Sequence, residues 1–192
     1  MLRTLYWSLQ RQLNQCSKSQ AALLSTTNKY SSSGSTEDRD MKETIKKLEN
    51  YKGRFYPSQT FTTIEVRWGD QDAMNHVNNI KYFQFLEQAR VSFFFHSSNL
   101  PLSAVEAEIG GAETLPILAR TAVSYKRPVT FPDTLLVGFS SEAVNKARGE
   151  FKHHYVIYST AQNTVVSTGE ADLVAYDYKQ KKRQPVPDDW VF

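Results

Sequence analysis

The chain is poor in the residues on which many protein chemistries depend. Among 192 residues there is one cysteine, Cys16. A single thiol makes no internal disulfide, and it leaves no cysteine cluster for a structural zinc site. No apolar run approaches the roughly 18 residues of a membrane-spanning helix, and the mean hydropathy is −0.50. No Gly-x-Ser-x-Gly sequence is present to build a serine nucleophile turn. No glycine-rich phosphate loop occurs either; Gly110-Gly111 stands alone. Acidic residues are missing from the first 36 positions, which carry Arg3, Arg11, Lys18 and Lys29. That leaves 19 of the 23 Lys and Arg facing all 20 acids, a net of −1 from Glu37 onward, although the whole chain stands at +3. A near-neutral body gives no support for nucleic-acid binding.

What is there divides the chain into three. In the first 36 residues, Leu2, Leu5, Leu9 and Leu13 recur at three- and four-residue steps, the spacing of one helical stripe. Eight of the twelve residues from Ser25 to Thr36 are Ser or Thr. An amphipathic, Arg- and Ser-bearing, acid-free N-terminus predicts a transit peptide and a mitochondrial matrix location. A tail without an address is the other reading. Cleavage would remove Cys16 and with it any thiol nucleophile. Residues 37–59 predict a lead-in helix and linker: Asp38–Lys52 carries a thin stripe of Met41, Ile45 and Leu48, ended by Gly53 and Pro57.

Residues 60–192 predict an α+β domain. Thr60–Trp68 alternates like a strand. Asn78 or Asn79 can cap a long helix carrying Ile80, Phe83, Leu86 and Phe93, apolar enough to be wrapped on more than one side, and Asn99–Pro101 stops it. Four strands follow, about Leu115–Lys126, Thr134–Val144, Glu150–Ser159 and Val165–Asp177, with turn residues between them. The tail Gln184–Phe192 is Pro-rich and extended. One greasy helix and five strands predict an antiparallel sheet curled around a helix.

Chemistry concentrates in Arg67–Asn79, between the first strand and the long helix. A helix N-terminus offers unpaired N–H groups and a positive dipole end, which can polarise a carbonyl. Asp70, Asp72 and His76 stand just upstream. A carboxylate beside such a site can hydrolyse an activated acyl group. The same residues, with Asn78, can equally serve as turn and helix caps. His153 and His154 resemble metal ligands, but neighbours on a strand face opposite ways, so no metal is expected. The run Lys179–Arg183 offers charge-assisted contacts to phosphates, or a solvated basic turn.

The residues Arg67-Trp68-x-Asp70-x-Asp72, His76-Val77-Asn78-Asn79, Tyr82 and Glu87-x-x-Arg90 resemble the signature of the hot-dog-fold thioesterases of the 4-hydroxybenzoyl-CoA and long-chain acyl-CoA type. Tyr125-Lys126-Arg127-Pro128-Val129, Pro132-Asp133-Thr134-Leu135 and Pro185-Val186-Pro187 match further. The resemblance implies a hot-dog fold, one long central helix wrapped by a five-stranded antiparallel sheet. It implies a homodimer or homotetramer with sites shared between subunits. It places the catalytic carboxylate on Asp72, as base or nucleophile, with His76 and Asn79 as further catalytic candidates. The carbonyl-polarising N–H falls around Val77–Asn79, and Val77, Asn78, Tyr82 and Glu87 are the substrate-binding candidates. For Glu87 an i,i+3 pair with Arg90 is the favoured structural role. The chain departs from related patterns at Met74, where acyl-carrier-protein thioesterases have Asn, and at Asn75, where many members have Gly; Asn tolerates a left-handed backbone.

The expected activity is hydrolysis of an acyl-CoA to free acid and CoA, without a metal or redox cofactor. A catalytically silent hot-dog subunit that binds acyl groups or builds a mitochondrial assembly is the alternative.

Overall fold

The structure is a computed structural model that describes residues 36–98 and 114–187; for 36–38 and 94–98 it describes the backbone alone. The predicted transit segment up to Ser35, the Asn99–Pro101 stop, the end of the tail and the side chains of Phe94 and Phe95 lie outside the described residues.

Helix α1 (Thr36–Leu48) leads, followed by single 3-10 turns at Tyr51–Gly53 and Ser58–Thr60. Strand β1 (Thr62–Glu65) precedes a 3-10 turn at Trp68–Asp70 and the long helix α2 (Asn79–Ser98). Then come β2 (Thr114–Tyr125), β3 (Thr134–Asn145), β4 (Glu150–Ser159) and β5 (Thr164–Asp177). These four strands lie within a residue of their expected spans, whereas helix α1, expected over Asp38–Lys52, runs Thr36–Leu48 and gives way to a separate turn at Tyr51–Gly53. The sheet is antiparallel throughout, ordered β1-β3-β4-β5-β2. A two-residue β6 (Lys182–Arg183), which the sequence reading did not include, folds back on Tyr176 and Asp177.

Strand β1 is shorter than its alternation predicts. Val66 N–H still bonds Asp133 C=O at 2.9 Å, but Arg67 N–H is captured by the Asp70 carboxylate at 2.8 Å, which turns the chain out of the sheet. The local carboxylate outcompetes the ladder.

Helix α2 lies on the concave face. Tyr82, Phe85, Leu86 and Ala89 are buried at helical spacing, with Phe93 packed beside them, against Leu135, Val137, Phe139, Tyr155, Ala171 and Leu173. The helix comes down close at Gly169, where a Cβ would stand 2.8 Å from Leu86 Cδ1. Covering stops at one side: Ile80, Phe83 and Val91 stay exposed within this chain.

The convex face is divided. At one end, Met41, Ile45 and Leu48 of α1, with Tyr56 and Phe61, pack on Leu136, Val156, Tyr158 and Val165. The lead-in helix is therefore part of the folded body. At the other end, Arg54, Glu142, His154, Glu170, Lys152, Asp172 and Arg120 form a chain of polar and charged contacts of 3.0–3.7 Å across β3, β4, β5 and β2. Strand β2 is an edge, with Pro116 within it and a bulge between Leu118 and Arg120.

Candidate active site

The segment between β1 and α2 is a small hairpin. Gln71 bridges Val77, and the tip is closed by Asp72 N–H donating to His76 C=O at 2.9 Å and Asn75 N–H donating to Asp72 C=O at 3.0 Å. Asn75 takes φ 60, the left-handed turn that Asn accepts at low cost. The hairpin is fastened on three sides. Val77 N–H bonds Val129 C=O at 2.8 Å, Asn78 N–H bonds Asp70 C=O at 2.9 Å, and Phe131 N–H bonds Gln71 Oε1 at 3.0 Å. Asp70 is buried; its second oxygen, Oδ1, lies 3.1 Å from Lys81 Nζ on the first turn of α2. One carboxylate thus ties the strand end to the helix start.

Asp72 is exposed at the tip. Its Oδ1 accepts from Met74 N–H at 2.8 Å, and its Oδ2 has no partner among the described residues. The carboxylate is therefore oriented by one bond and free at the other oxygen. His76 and Asn79 are exposed in the same segment. Asn78 caps α2: its Oδ1 accepts from Ile80 N–H at 3.0 Å, and its C=O accepts from Lys81 N–H at 2.9 Å. With the N–H groups of Val77, Asn78, Ile80 and Lys81 all engaged, the Asn79 N–H is the one at the helix start that bonds none of the described residues.

The remaining candidates sort by depth. Val77 is a core side chain. Tyr82 is buried, its ring 5.0 Å from that of Tyr125 at 82°. Burial pushes the Tyr82 hydroxyl up to about 12, with Tyr125 and Asp133 adding to the shift, so it stays a neutral donor. Glu87 is exposed further along α2. The expected pair with Arg90 does not form, because Arg90 turns inward and its Nη1 donates to Tyr155 Oη at 3.1 Å. Tyr155 Oη in turn sits 3.3 Å from His153 Nδ1. His153 is stacked on Phe139 at 4.6 Å, and burial, then the charge of Arg90, pulls it down to about 3. His154 points the other way, to Glu142 and Glu170. The two histidines face opposite sides of the sheet, as the strand period requires.

Three contributors escape the motif. Gln71 and Lys81 act through partners that spacing alone does not reveal. Tyr125 donates to Asn79 C=O at 3.2 Å and covers Tyr82; its presence in the matched strand end was the available signal. Of two surface hollows, one lined by Val66, Phe131 and Asp133 and one by Ile45 and Glu49, neither is lined by Asp72. Around the Asp72 hairpin the surface is instead apolar and open: Trp68, Met74, Ile80, Phe83, Tyr125 and Phe131 are exposed.

Comparison with known proteins agrees with this architecture. The long-chain acyl-CoA thioesterase FadM of Escherichia coli is 26% identical over 121 residues, which span 63% of this chain and 86% of FadM. The PA2801 protein of Pseudomonas aeruginosa superposes with a TM-score of 0.54 at 28% identity, over 67% of this chain and 92% of its own. The 1,4-dihydroxy-2-naphthoyl-CoA thioesterase of Synechocystis shares the fold at 19% identity, with a TM-score of 0.56 over 68% of this chain and 90% of its own. The model of the thioesterase-like superfamily matches residues 66–191, from the end of β1 through the hairpin, helix and sheet just described, and the chain belongs to that superfamily.

Proposed function

We propose that the protein hydrolyses acyl-CoA thioesters, with Asp72 as its catalytic carboxylate and the Asn79 N–H as the group that polarises the thioester carbonyl. One observation carries the reading: a carboxylate with a free oxygen shares a short, fastened hairpin with an unengaged N–H at a helix N-terminus. As base, Asp72 takes a proton from water while the water oxygen bonds the carbonyl carbon. The C–S bond then breaks, and the CoA thiolate takes that proton back. As nucleophile, the carboxylate itself bonds the carbon and the C–S bond breaks to release the CoA thiolate. Water then opens the mixed anhydride, freeing the acid, and one of its protons passes to the thiolate as Asp72 returns to the carboxylate. His76 supplies a second polar group at the hairpin. Tyr82 and Tyr125 back the helix start, and Glu87 lies farther along the same helix. CoA is part of the substrate, and neither route needs a metal or redox cofactor.

The site works in a homodimer or homotetramer under this reading. The edge strand β2 and the exposed apolar ring around Asp72 support it, since both gain by being covered. The acid-free first 36 residues support a mitochondrial matrix address.

A panel of acyl-CoAs with a thiol reagent tests the activity. Asp72→Asn keeps the Met74 N–H bond and the size but removes the basicity, so turnover should fall by about 10²–10⁴ with the melt unchanged. His76→Ala and Glu87→Gln should lose less. Near-full turnover in Asp72→Asn, with His76→Ala dead, would move the site to the imidazole. A wild type that binds acyl-CoA without turning it over would be the silent acyl-binding subunit.

A further inference from the structure

The end of β2 is gripped from both faces of the sheet. Tyr125 and Lys126 are neighbours, so their side chains leave the sheet on opposite sides. Tyr125 goes to the concave side, where its Oη donates to Asn79 C=O at 3.2 Å and its ring meets Tyr82. Lys126 goes to the convex side. Its Nζ donates to Tyr51 Oη at 3.1 Å and stands 5.2 Å from the centre of the Tyr51 ring. No carboxylate among the described residues pairs with Lys126, so Tyr51 is its side-chain partner there.

Tyr51 is presented by a fastened turn. Leu48 is buried with Leu136 and Val156, Tyr51 packs against the same cluster, and Tyr56 N–H closes the turn on Glu49 C=O at 2.7 Å. This turn stands ahead of residues 66–191, which carry the superfamily match. A segment outside the matched domain thus reaches, through one lysine, the strand end that holds the start of α2.

What is held there bears on the proposed chemistry. The peptide plane that carries the Asn79 N–H also carries Asn78 C=O, which accepts from Lys81 N–H at 2.9 Å. The next plane carries Asn79 C=O, to which Tyr125 adds a hydrogen bond from outside the helix. Both planes flanking the Asn79 Cα are therefore tied down, and with them the direction of the open N–H. Tyr125 is 49% exposed, so packing alone does not keep its hydroxyl in place. Beside it, Lys126 N–H bonds Val166 C=O at 2.9 Å, while the Lys126 side chain is tied to Tyr51.

We infer that Tyr51 and Lys126 are positioning residues for thioester hydrolysis: they hold the end of β2 so that Tyr125 keeps the Asn79 N–H aimed at the thioester carbonyl. The inference rests on the acyl-CoA reading and gives the lead-in segment a part in that activity. In this role neither residue touches the substrate, so both act on turnover rather than on binding.

The test uses the full chain. Lys126→Met keeps the length of the side chain and removes its charge and its donor. On the best acyl-CoA, kcat should fall about threefold with KM and the melt unchanged. Tyr51→Phe loses only the acceptor and should lower kcat about twofold. Lys126→Arg, which also donates and lies over an aromatic ring, should keep the wild-type kcat. Tyr125→Phe should lower kcat about tenfold. Adding Lys126→Met to it should cost nothing more, because the lysine acts only through that tyrosine. Losses that multiply in the double variant overturn the inference, as does a wild-type kcat in Lys126→Met or Tyr51→Phe. A raised KM with kcat unchanged also overturns it, by making Lys126 a contact of the substrate. The Asn79 amide resonance, followed by NMR in the unliganded chain, separates the inference from the hydrolase reading. A resonance displaced alike by Lys126→Met and Tyr125→Phe, in a protein that cleaves no acyl-CoA, keeps the grip on the helix start and sinks the hydrolase. Turnover in a chain whose resonance Lys126→Met leaves in place does the reverse.

Discussion

At the scale of the residue, the chain uses carboxylates in two ways within three positions. Asp70 is buried and satisfied by Arg67 N–H and Lys81; Asp72 is exposed and half satisfied. Their identities were legible, since the motif is local, but their division of labour was not, because Lys81 and the backbone donors are placed only by the turn. A third titratable group makes a stability prediction. His153 is held neutral to about 3 by burial and by the nearby Arg90. In the unfolded chain it protonates near 6.5. Its folded value is depressed, so the unfolded state binds the extra proton between those pH values. Stability from this site is therefore complete above about pH 6.5 and falls with pH toward 3, at about 1.4 kcal/mol per pH unit. Melting temperatures recorded from pH 7 to 4 should drop, and His153→Phe, which fits the stack on Phe139, should flatten the slope. An equal slope in both proteins would place the acid lability elsewhere.

Elements were readable wherever the pattern is periodic over several residues. The spans of β4 and β5 and the start of α2 at an Asn cap follow from alternation and capping chemistry. The shortening of β1 and the inward turn of Arg90 did not follow, because each depends on a partner distant in sequence or on a side chain competing with the ladder. The two-residue β6 escaped for a related reason: it has no pattern of its own and exists only where Gln184 N–H bonds Ala175 C=O at 2.9 Å. The same stitch constrains the β3–β4 turn. Gly149 has φ 75, and a Cβ there would stand 2.1 Å from Gln184 C=O. Gly149→Ala should cost more than about 1 kcal/mol, from backbone strain plus the clash, read as a lower urea midpoint at constant slope. A midpoint within error of wild type would mean that the 184–186 segment yields freely.

At the scale of the whole molecule, the apolar surface left open within this chain is the surface that the proposed oligomer would cover. Exposed Ile117 and Leu118 stand on the edge strand, and Ile80, Phe83 and Val91 on the uncovered side of α2. Light scattering at micromolar concentration should give twice or four times the chain mass, and a stable monomer would remove the shared site. The convex face is closed to such contacts, one end by α1 and the other by charged and polar side-chain pairs that contribute little to stability but keep the face wet. A fluorescent protein fused behind residues 1–36 should enter mitochondria; a cytosolic signal would withdraw the targeting proposal and leave the folded body untouched.

The seat of α1 also sets an order of events. Leu48 rests on Leu136 and Val156, residues that lie most of a domain away along the chain. The helix is made early in synthesis, yet its apolar stripe has nowhere to dock until β3, β4 and β5 have zipped together. Such distant contacts carry a heavy loop-closure cost and come late. The lead-in helix is thus the latch of the fold rather than its seed, and amide protection in Met41–Leu48 should arise after that of the β3–β5 meander.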